Sequence, residues 1–159
     1  MFHKNGESQC SKMASTFVNQ IMKTDVISID ENESVQDAAL QMVKSNIGCV
    51  IITRDGIPFG IFTESDFVRI AAKGNPLFTQ LSGVVSTPLV VITPGKTLWE
   101  AADIMIKKDI HKLPIQDRNK IVGIITASDL VRVCSIGSDS EMRKICDQIL
   151  LRMENETPW

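Results

Sequence analysis

The chain contains an internal repeat that aligns without an insertion or a deletion. Residues 18–69 align with residues 81–132 at a constant offset of 63. Identical pairs include Thr24 and Thr87, Ala38 and Ala101, Met42 and Met105, and Arg69 and Arg132. Such self-similarity predicts a tandem of two similar structural units. Because 159 residues leave room for one core of ordinary size, we expect the two units to share it, facing each other across a pseudo-twofold axis with two related clefts.

The patterns within each copy predict the element order β-α-β-β-α. Apolar, β-branched runs at residues 26–29 and 89–92 are typical of a buried first strand. A helix should follow each run, because Ser34 with Asp37 and Thr97 with Glu100 both match a capping box. Two strands joined by a Gly- or Asn-containing turn then predict a hairpin, with a last helix behind it. The fold class predicted is α+β: two tandem β-α-β-β-α units packed as a pseudo-twofold pair, plus a C-terminal amphipathic helix.

The domain boundaries follow from this reading. They are a disordered tail at 1–16, a first repeat at 17–74, a linker at 75–80, a second repeat at 81–135 and a C-terminal helix at 138–153. The helix is predicted from one apolar stripe made of Met142, Ile145, Cys146, Ile149, Leu150 and Met153.

The composition narrows the class of partner. A net charge of −2 supplies no general attraction to nucleic acid. No apolar run approaches the roughly 20 residues of a membrane helix, so we expect a cytoplasmic protein that does not bind membranes. The cysteines form no CxxC pair and the two histidines, His3 and His111, are far apart, so we expect no metal site.

The most specific motif is Gly-hydrophobic-x-Thr-x-x-Asp, present at residues 60–66 and 123–129. It allows two readings. As a structural feature, Thr63 and Thr126 cap helices, and Asp66 and Asp129 complete the capping boxes. As a functional feature, the glycine lets a ligand approach the backbone, the helix start attracts a phosphate, and the aspartate accepts both hydroxyls of a ribose. Arginines three residues after each aspartate are predicted to form ion pairs on the helix surface.

Over residues 17–134 the duplicated motif and the gapless repeat resemble the cystathionine-β-synthase (CBS) domain family, whose members pair two such units into a Bateman module. Clefts of these modules commonly take adenine nucleotides or related adenosyl compounds. The resemblance implies that Asp66 and Asp129 hold ribose hydroxyls, with Thr63 and Thr126 beside the ribose and phosphate. It also implies apolar and backbone contacts to adenine around Ile27 and Val90.

The family places the helix-strand junction of the opposite copy in each cleft. By resemblance, the cleft of Asp66 would therefore include Ile110, His111 and Lys112, and the cleft of Asp129 would include Ile47, Gly48 and Cys49. Residues 110–114 look like the basic run that meets phosphates in nucleotide-binding members. Residues 48–49 offer no positive side chain, so the Asp129 cleft is expected to be empty or to take a less charged ligand.

Two functions remain open from the sequence. No catalytic set of side chains is indicated, so an enzyme is not expected. The first reading is a regulatory, homodimeric module that binds AMP, ADP, ATP or S-adenosylmethionine between the repeats and signals to an unknown regulated protein through conformation, with no cofactor. The alternative is a scaffold for dimerisation and partner docking that binds no ligand.

Overall fold

The computed structural model describes residues 13–134 together with residues 147, 148 and 151. The first part of the predicted tail and nearly all of the predicted C-terminal helix lie outside these residues. The chain divides into two compact units. The first unit consists of Asp25–Val90 and Arg118–Ile121, and the second contains the described residues of Met1–Thr24, Val91–Asp117 and Val122–Trp159.

The first unit has the predicted order of elements. They are β1 Ser28–Asp30, α1 Val35–Ser45, β2 Cys49–Arg54, β3 Ile57–Thr63 and α2 Glu64–Ala72. Strand β2 lies in the middle of the sheet, parallel to β1 and antiparallel to β3. The β2-β3 connection is the predicted tight hairpin, with Asp55 and Gly56 both at positive φ, 51° and 77°.

The core of the first unit forms between one face of its sheet and its helices. Its buried members are Val35, Ala38, Met42, Val50, Ile52, Phe62, Ile70 and Leu81. The helical spacing of the α1 residues and the alternation along β2 bring these side chains to one side, as each element's periodicity dictates. Burial of such apolar surface is the main favourable term in folding.

The second unit contains α3 Leu98–Lys108, β4 Lys112–Asp117 and α4 Ala127–Cys134, together with β5 Lys120–Thr126 from Val122 onward. Strands β4 and β5 form a two-stranded sheet. Helix α3 buries Leu98, Ala101, Ala102 and Met105, which are four of the five apolar positions that helical spacing predicts for its buried face. The fifth, Ile106, is half-buried. None of the described helices has the length and apolar character needed to span a bilayer.

The predicted first strand of the second copy, residues 89–92, does not form. Ile92 makes only an isolated parallel bridge to Ile115. In the first copy the ladder continues, because the Glu31 N–H donates to the Thr53 carbonyl at 2.9 Å. The equivalent residue in the second copy is Pro94, which has no N–H to donate. On the other side of the bridge, Pro114 stands where the first copy has Ile51, whose N–H donates to the Ile27 carbonyl at 2.9 Å. With one donor missing on each side, the pairing is limited to a single bridge.

The capping boxes of α1 and α3 are confirmed. The Asp37 N–H donates to Ser34 Oγ at 3.1 Å, and the Ser34 N–H donates to the Asp37 carboxylate at 3.0 Å. Thr97 and Glu100 repeat this pair of bonds at 3.2 and 2.9 Å. The hydrogen bond from the Ser34 side chain is the main reason that the pKa of Asp37 lies below its ordinary value. For Glu100, a hydrogen bond from the Lys96 side chain is the largest cause of its lowered pKa.

Each unit includes a segment from the other sequence repeat. In the second unit, Phe17 forms a bridge with Thr97, and the Val18 N–H donates to the Lys96 carbonyl at 2.8 Å. The first unit contains the equivalent bridge between Gln80 and Ser34 and the equivalent 2.9 Å bond from Leu81 to Glu33. The first residues of each sequence repeat therefore pack in the unit of the other repeat, so the sequence repeats and the compact units have different boundaries.

The last residues of the predicted disordered tail are ordered, because they also pack in the second unit. Residues 13–15 are helical, and the Met13 side chain is fully buried. The Leu98 N–H donates to the Thr16 carbonyl at 2.9 Å, which ties this segment to the start of α3. The buried Met13 side chain and the hydrogen bond that the Thr16 carbonyl accepts therefore hold these residues in place.

This exchange predicts that Leu81, which the repeat alignment assigns to the second copy, stabilises the core of the first. Leu81→Ala should lower the free energy of unfolding by about 2–5 kcal/mol, because it opens a cavity among fully buried side chains. Chemical denaturation measures this, with Leu151→Ala, at an exposed position, as the control. A loss no larger than that of the control would contradict the assignment.

Candidate functional site

The first Thr-x-x-Asp motif lies where β3 ends and α2 begins. The Thr63 N–H and Oγ1 both donate to Asp66 Oδ2, at 2.9 and 2.8 Å. In return, the Asp66 N–H donates to Thr63 Oγ1 at 3.3 Å. These bonds complete the predicted capping box and fix the orientation of a carboxylate that is only 4% exposed.

The second motif repeats this geometry between β5 and α4. The Thr126 N–H and Oγ1 donate to Asp129 Oδ2 at 2.9 and 2.8 Å, and the Asp129 N–H donates to Thr126 Oγ1 at 3.3 Å. Asp129 is 5% exposed. Asp66 and Asp129 are the buried charged residues of the described chain, and each holds one oxygen in a helix cap.

The other carboxylate oxygen faces an arginine in both copies, as predicted. Arg69 Nη1 lies 3.0 Å from Asp66 Oδ1, and Arg132 Nη1 lies 3.5 Å from Asp129 Oδ1. Both arginine side chains are more than half exposed. A ligand could therefore replace them at Oδ1 without repacking the core.

A further residue at each site was not predicted from the sequence. Ser86 Oγ lies 3.3 Å from Asp66 Oδ1, whereas Lys23 Nζ lies 3.8 Å from Asp129 Oδ1. Ser86 and Lys23 occupy equivalent positions at the offset of 63. The one sequence signal for them is that a lysine in the first copy aligns with a neutral serine in the second, directly before the identical pair Thr24 and Thr87. The expectation of an empty cleft or a less charged ligand at Asp129 rests on residues 48–49 alone, and Lys23 adds a positive side chain beside that carboxylate.

The backbone of both unpredicted residues is held by the strand that leads into the motif. Lys23 and Ile124 exchange two backbone hydrogen bonds of 2.9 Å, and Ser86 and Ile61 exchange two of 3.3 Å. The two side chains therefore start from equivalent places. They differ in chemistry and length, not in their attachment.

This packing changes the explanation for the motif glycines. A Cβ at Gly60 would lie 2.6 Å from Val85 Cγ2 and 3.1 Å from the Ser86 carbonyl oxygen. A Cβ at Gly123 would lie 3.1 Å from the Lys23 carbonyl oxygen and would also meet the Met22 side chain. The functional reading of the motif explains the glycine by close approach of a ligand, but the chain's own segment approaches it. The glycine is required for packing within each unit.

Two of the remaining candidate residues adjoin the motif of their own unit. The Glu64 N–H, at the first position of α2, donates to the Gly48 carbonyl at 3.2 Å. The Ala127 N–H, at the first position of α4, donates to the His111 carbonyl at 2.8 Å. The helix-strand junction of each copy thus lies against the start of that copy's last helix.

The other candidates are half-buried within their units. They are Ile27, Ile47, Val90, Ile110 and Lys112. Ile27 and Ile47 pack against the core of the first unit. The assignment of residues 110–112 to the cleft of Asp66, and of residues 47–49 to the cleft of Asp129, stays a prediction from resemblance. Among the described residues, no group of three His, Cys, Asp or Glu side chains could hold a metal ion.

An apolar groove of about 780 Å³ lies on the first unit. It is lined chiefly by α1 and α2, including Leu40, Val43, Phe67 and Val68, with Leu77 from the following segment. Val43 is 80% and Leu40 is 59% exposed. Thr63 and Asp66 do not line it, but Glu64 of the same motif does, together with the candidate residues Ile47 and Gly48. The groove therefore begins beside the motif.

The packing at Gly60 generates a stability prediction. Gly60→Ala should lower the free energy of unfolding by about 1–3 kcal/mol, because the added methyl group overlaps Val85 and the backbone at Ser86. Gly83→Ala is the matched control, since an added Cβ there meets no atom within 4 Å. Equal stabilities of the two variants, measured by denaturant titration, would show that the close approach is not a constraint.

Comparison with known proteins identifies the family. The CBS domain model matches residues 18–73 and 81–136. The CBS domain-containing protein YhcV of Bacillus subtilis is 35% identical over 114 residues, which cover 71% of this chain and 81% of YhcV. Other relatives are longer: the match covers 43% of MJ1225 of Methanocaldococcus jannaschii, at 27% identity.

Solved structures agree with this assignment. A conserved protein from Pyrococcus horikoshii has a TM-score of 0.71 at 25% identity, covering 80% of this chain and 98% of that one. The CBS domain pair of MJ0100, solved with 5′-methylthioadenosine and S-adenosyl-L-methionine, has a TM-score of 0.68 at 25% identity, covering 74% and 98%. The chain therefore belongs to the CBS domain family and carries a pair of CBS domains, which is a regulatory module.

Proposed function

We propose that this protein is a non-catalytic sensor that binds an adenine nucleotide or another adenosyl compound at Asp66 and Asp129, with AMP, ADP and ATP favoured. The observation that supports this most directly is the duplicated, buried carboxylate. One oxygen of each is locked in a helix cap, while the other contacts exposed side chains that a ribose diol could replace. The adjacent helix start offers a partial positive charge to a phosphate.

The ligands of a solved relative support the chemical class. The MJ0100 domain pair was solved with 5′-methylthioadenosine and S-adenosyl-L-methionine, both of which carry an adenosine ribose. A ribose diol is the group that an aspartate can recognise through two hydrogen bonds. By resemblance, we propose that Ile27 and Val90 contact adenine.

The proposed signal is a shift between conformations. A ligand changes such an equilibrium only when its affinity for the two states differs. A regulated protein, which we propose to be a separate partner, would recognise the favoured state. The coupling between ligand and partner is reciprocal, so the partner would also raise the affinity for ligand.

The first experiment is thermal unfolding with AMP, ADP, ATP and S-adenosylmethionine, followed by calorimetry. A ligand at 100 times its dissociation constant should stabilise the folded protein by about 2.7 kcal/mol. Asp66→Ala should weaken binding by about tenfold or more, since a charged hydrogen-bond acceptor is lost.

The control separates binding from capping. Asp37→Ala removes the acid of an equivalent capping box on α1. Both variants should lose about 1 kcal/mol of stability, but only Asp66→Ala should lose ligand affinity. Equal affinities of the two variants would refute the role of Asp66, and no binding by the unchanged protein would refute the sensor.

The apolar groove supports a second candidate, a homodimeric scaffold. The large exposed side chains Leu40, Val43, Val68 and Leu77 lie together on it, and contiguous apolar surface of this kind marks protein interfaces. We propose a second copy as the partner, because an isologous contact needs only one self-complementary patch. The equivalent of Leu40 in the second repeat is Asp103, which is paired with Lys107 at 2.8 Å, so an ion pair stands there in place of this apolar side chain.

The groove predicts the effect of a charge. Val43→Asp should raise the dimer dissociation constant by about tenfold or more, because a carboxylate would be desolvated in an apolar contact. Sedimentation velocity over a concentration series measures this. Ile57→Asp is the control, since Ile57 is 63% exposed on β3 and does not line the groove. If both variants weaken dimerisation equally, or if neither weakens it, the groove is not the dimer interface.

A further inference from the structure

The two motif sites share a backbone geometry but differ in charge. The Asp66 site contains Arg69 and the neutral Ser86, whereas the Asp129 site contains Arg132 and Lys23. Each site has one motif carboxylate and one arginine, so Lys23 gives the second site one positive charge more than the first.

The first position of each helix increases this difference. Helix α2 begins with Glu64, a carboxylate in its first turn, while α4 begins with Ala127 at the equivalent place. The summed charge of the named residues is negative at the Asp66 site and positive at the Asp129 site. An anion near the N-terminus of a helix is therefore opposed by Glu64 at α2 and meets no such side chain at that position of α4.

The Lys23 side chain is held loosely. Its Nζ lies 3.8 Å from Asp129 Oδ1, which is longer than the roughly 2.7–2.9 Å of a charge-assisted hydrogen bond. The side chain is 60% exposed, while two backbone hydrogen bonds to Ile124 anchor its main chain. A ligand hydroxyl could take Oδ1 while the flexible ammonium group turns to an anionic group of the same ligand.

We propose that Lys23 is a specificity-determining residue of the Asp129 site, where it selects nucleoside phosphates over uncharged nucleosides. This inference rests on the proposed function and deepens it. By resemblance, the anionic group is expected in the cleft of Asp66, beside His111 and Lys112. The charges within each unit favour the Asp129 site instead.

The test compares AMP with adenosine, which differ only in the phosphate. Calorimetry is carried out in an Asp66→Ala background, which leaves Asp129 as the remaining motif carboxylate. Lys23→Ser introduces the residue that the other repeat has at this position. It should weaken AMP binding by about tenfold and leave adenosine binding unchanged or tighter, because Asp129 loses a competing cation.

Lys23→Arg keeps the charge and should restore the preference for AMP. A purely structural role for Lys23 would alter the affinities for both ligands alike, so the AMP-to-adenosine ratio is the decisive measurement. If Asp66→Ala fails to fold, the same ratio is measured for Lys23→Ser in the otherwise unchanged chain.

The outcomes separate this inference from the proposed function. If the unchanged protein binds no nucleoside or nucleotide, both are overturned. If it binds AMP but the folded Asp66→Ala variant does not, or if Lys23→Ser leaves the ratio unchanged, only the role of Lys23 is overturned. A ratio that falls with Lys23→Ser and recovers with Lys23→Arg supports it.

Discussion

The close approach of one backbone segment to a glycine organises both halves of this protein. In each unit a segment from the other sequence repeat forms a bridge with the strand that leads into the motif, at Lys23 with Ile124 and at Ser86 with Ile61. The distances leave no room for a Cβ at Gly60 without movement of Val85. The same bridge places residue 23 or 86 beside the motif carboxylate. Packing and the composition of the candidate site therefore depend on a single contact.

As a consequence, each motif site is assembled from both sequence repeats. Asp66 comes from the first repeat and Ser86 from the second, while Asp129 comes from the second and Lys23 from the first. A substitution in one copy can therefore alter the site of the other. Duplication preserved the geometry of the caps, since Thr63 with Asp66 and Thr126 with Asp129 have the same hydrogen-bond lengths. What differs is the charge around them.

The two repeats also differ on their helical surfaces. Leu40 of α1 lines an apolar groove, whereas the equivalent Asp103 of α3 is part of an exposed ion pair. Exposed ion pairs contribute little to stability but keep a surface soluble, while exposed apolar side chains favour association. One fold, used twice, thus carries different surface chemistry in each copy.

The sequence by itself determined the features that depend on neighbours three or four residues away. The capping boxes and the Asp-Gly hairpin were predicted, because their interactions lie within one turn of the chain. The pairing of Thr63 with Asp66 belongs to this group. Helical spacing also predicted the burial of Val35, Ala38 and Met42 on α1, but it placed Val43 on the same face, and Val43 is 80% exposed. The missing strand at residues 89–92 is only partly local, because Pro94 and the distant Pro114 lack the N–H groups that Glu31 and Ile51 supply in the first copy.

Only the tertiary structure decided which segments pack together. Lys23 and Asp129 lie far apart in the sequence, and no periodicity links them. Their contact forms because the first residues of one sequence repeat pack in the same unit as the end of the other repeat. The role of Gly60 was misread for the same reason, since a glycine requirement does not reveal which atoms approach. Long-range contacts come from the packing of whole elements, and local patterns carry no information about the partner that an element will meet.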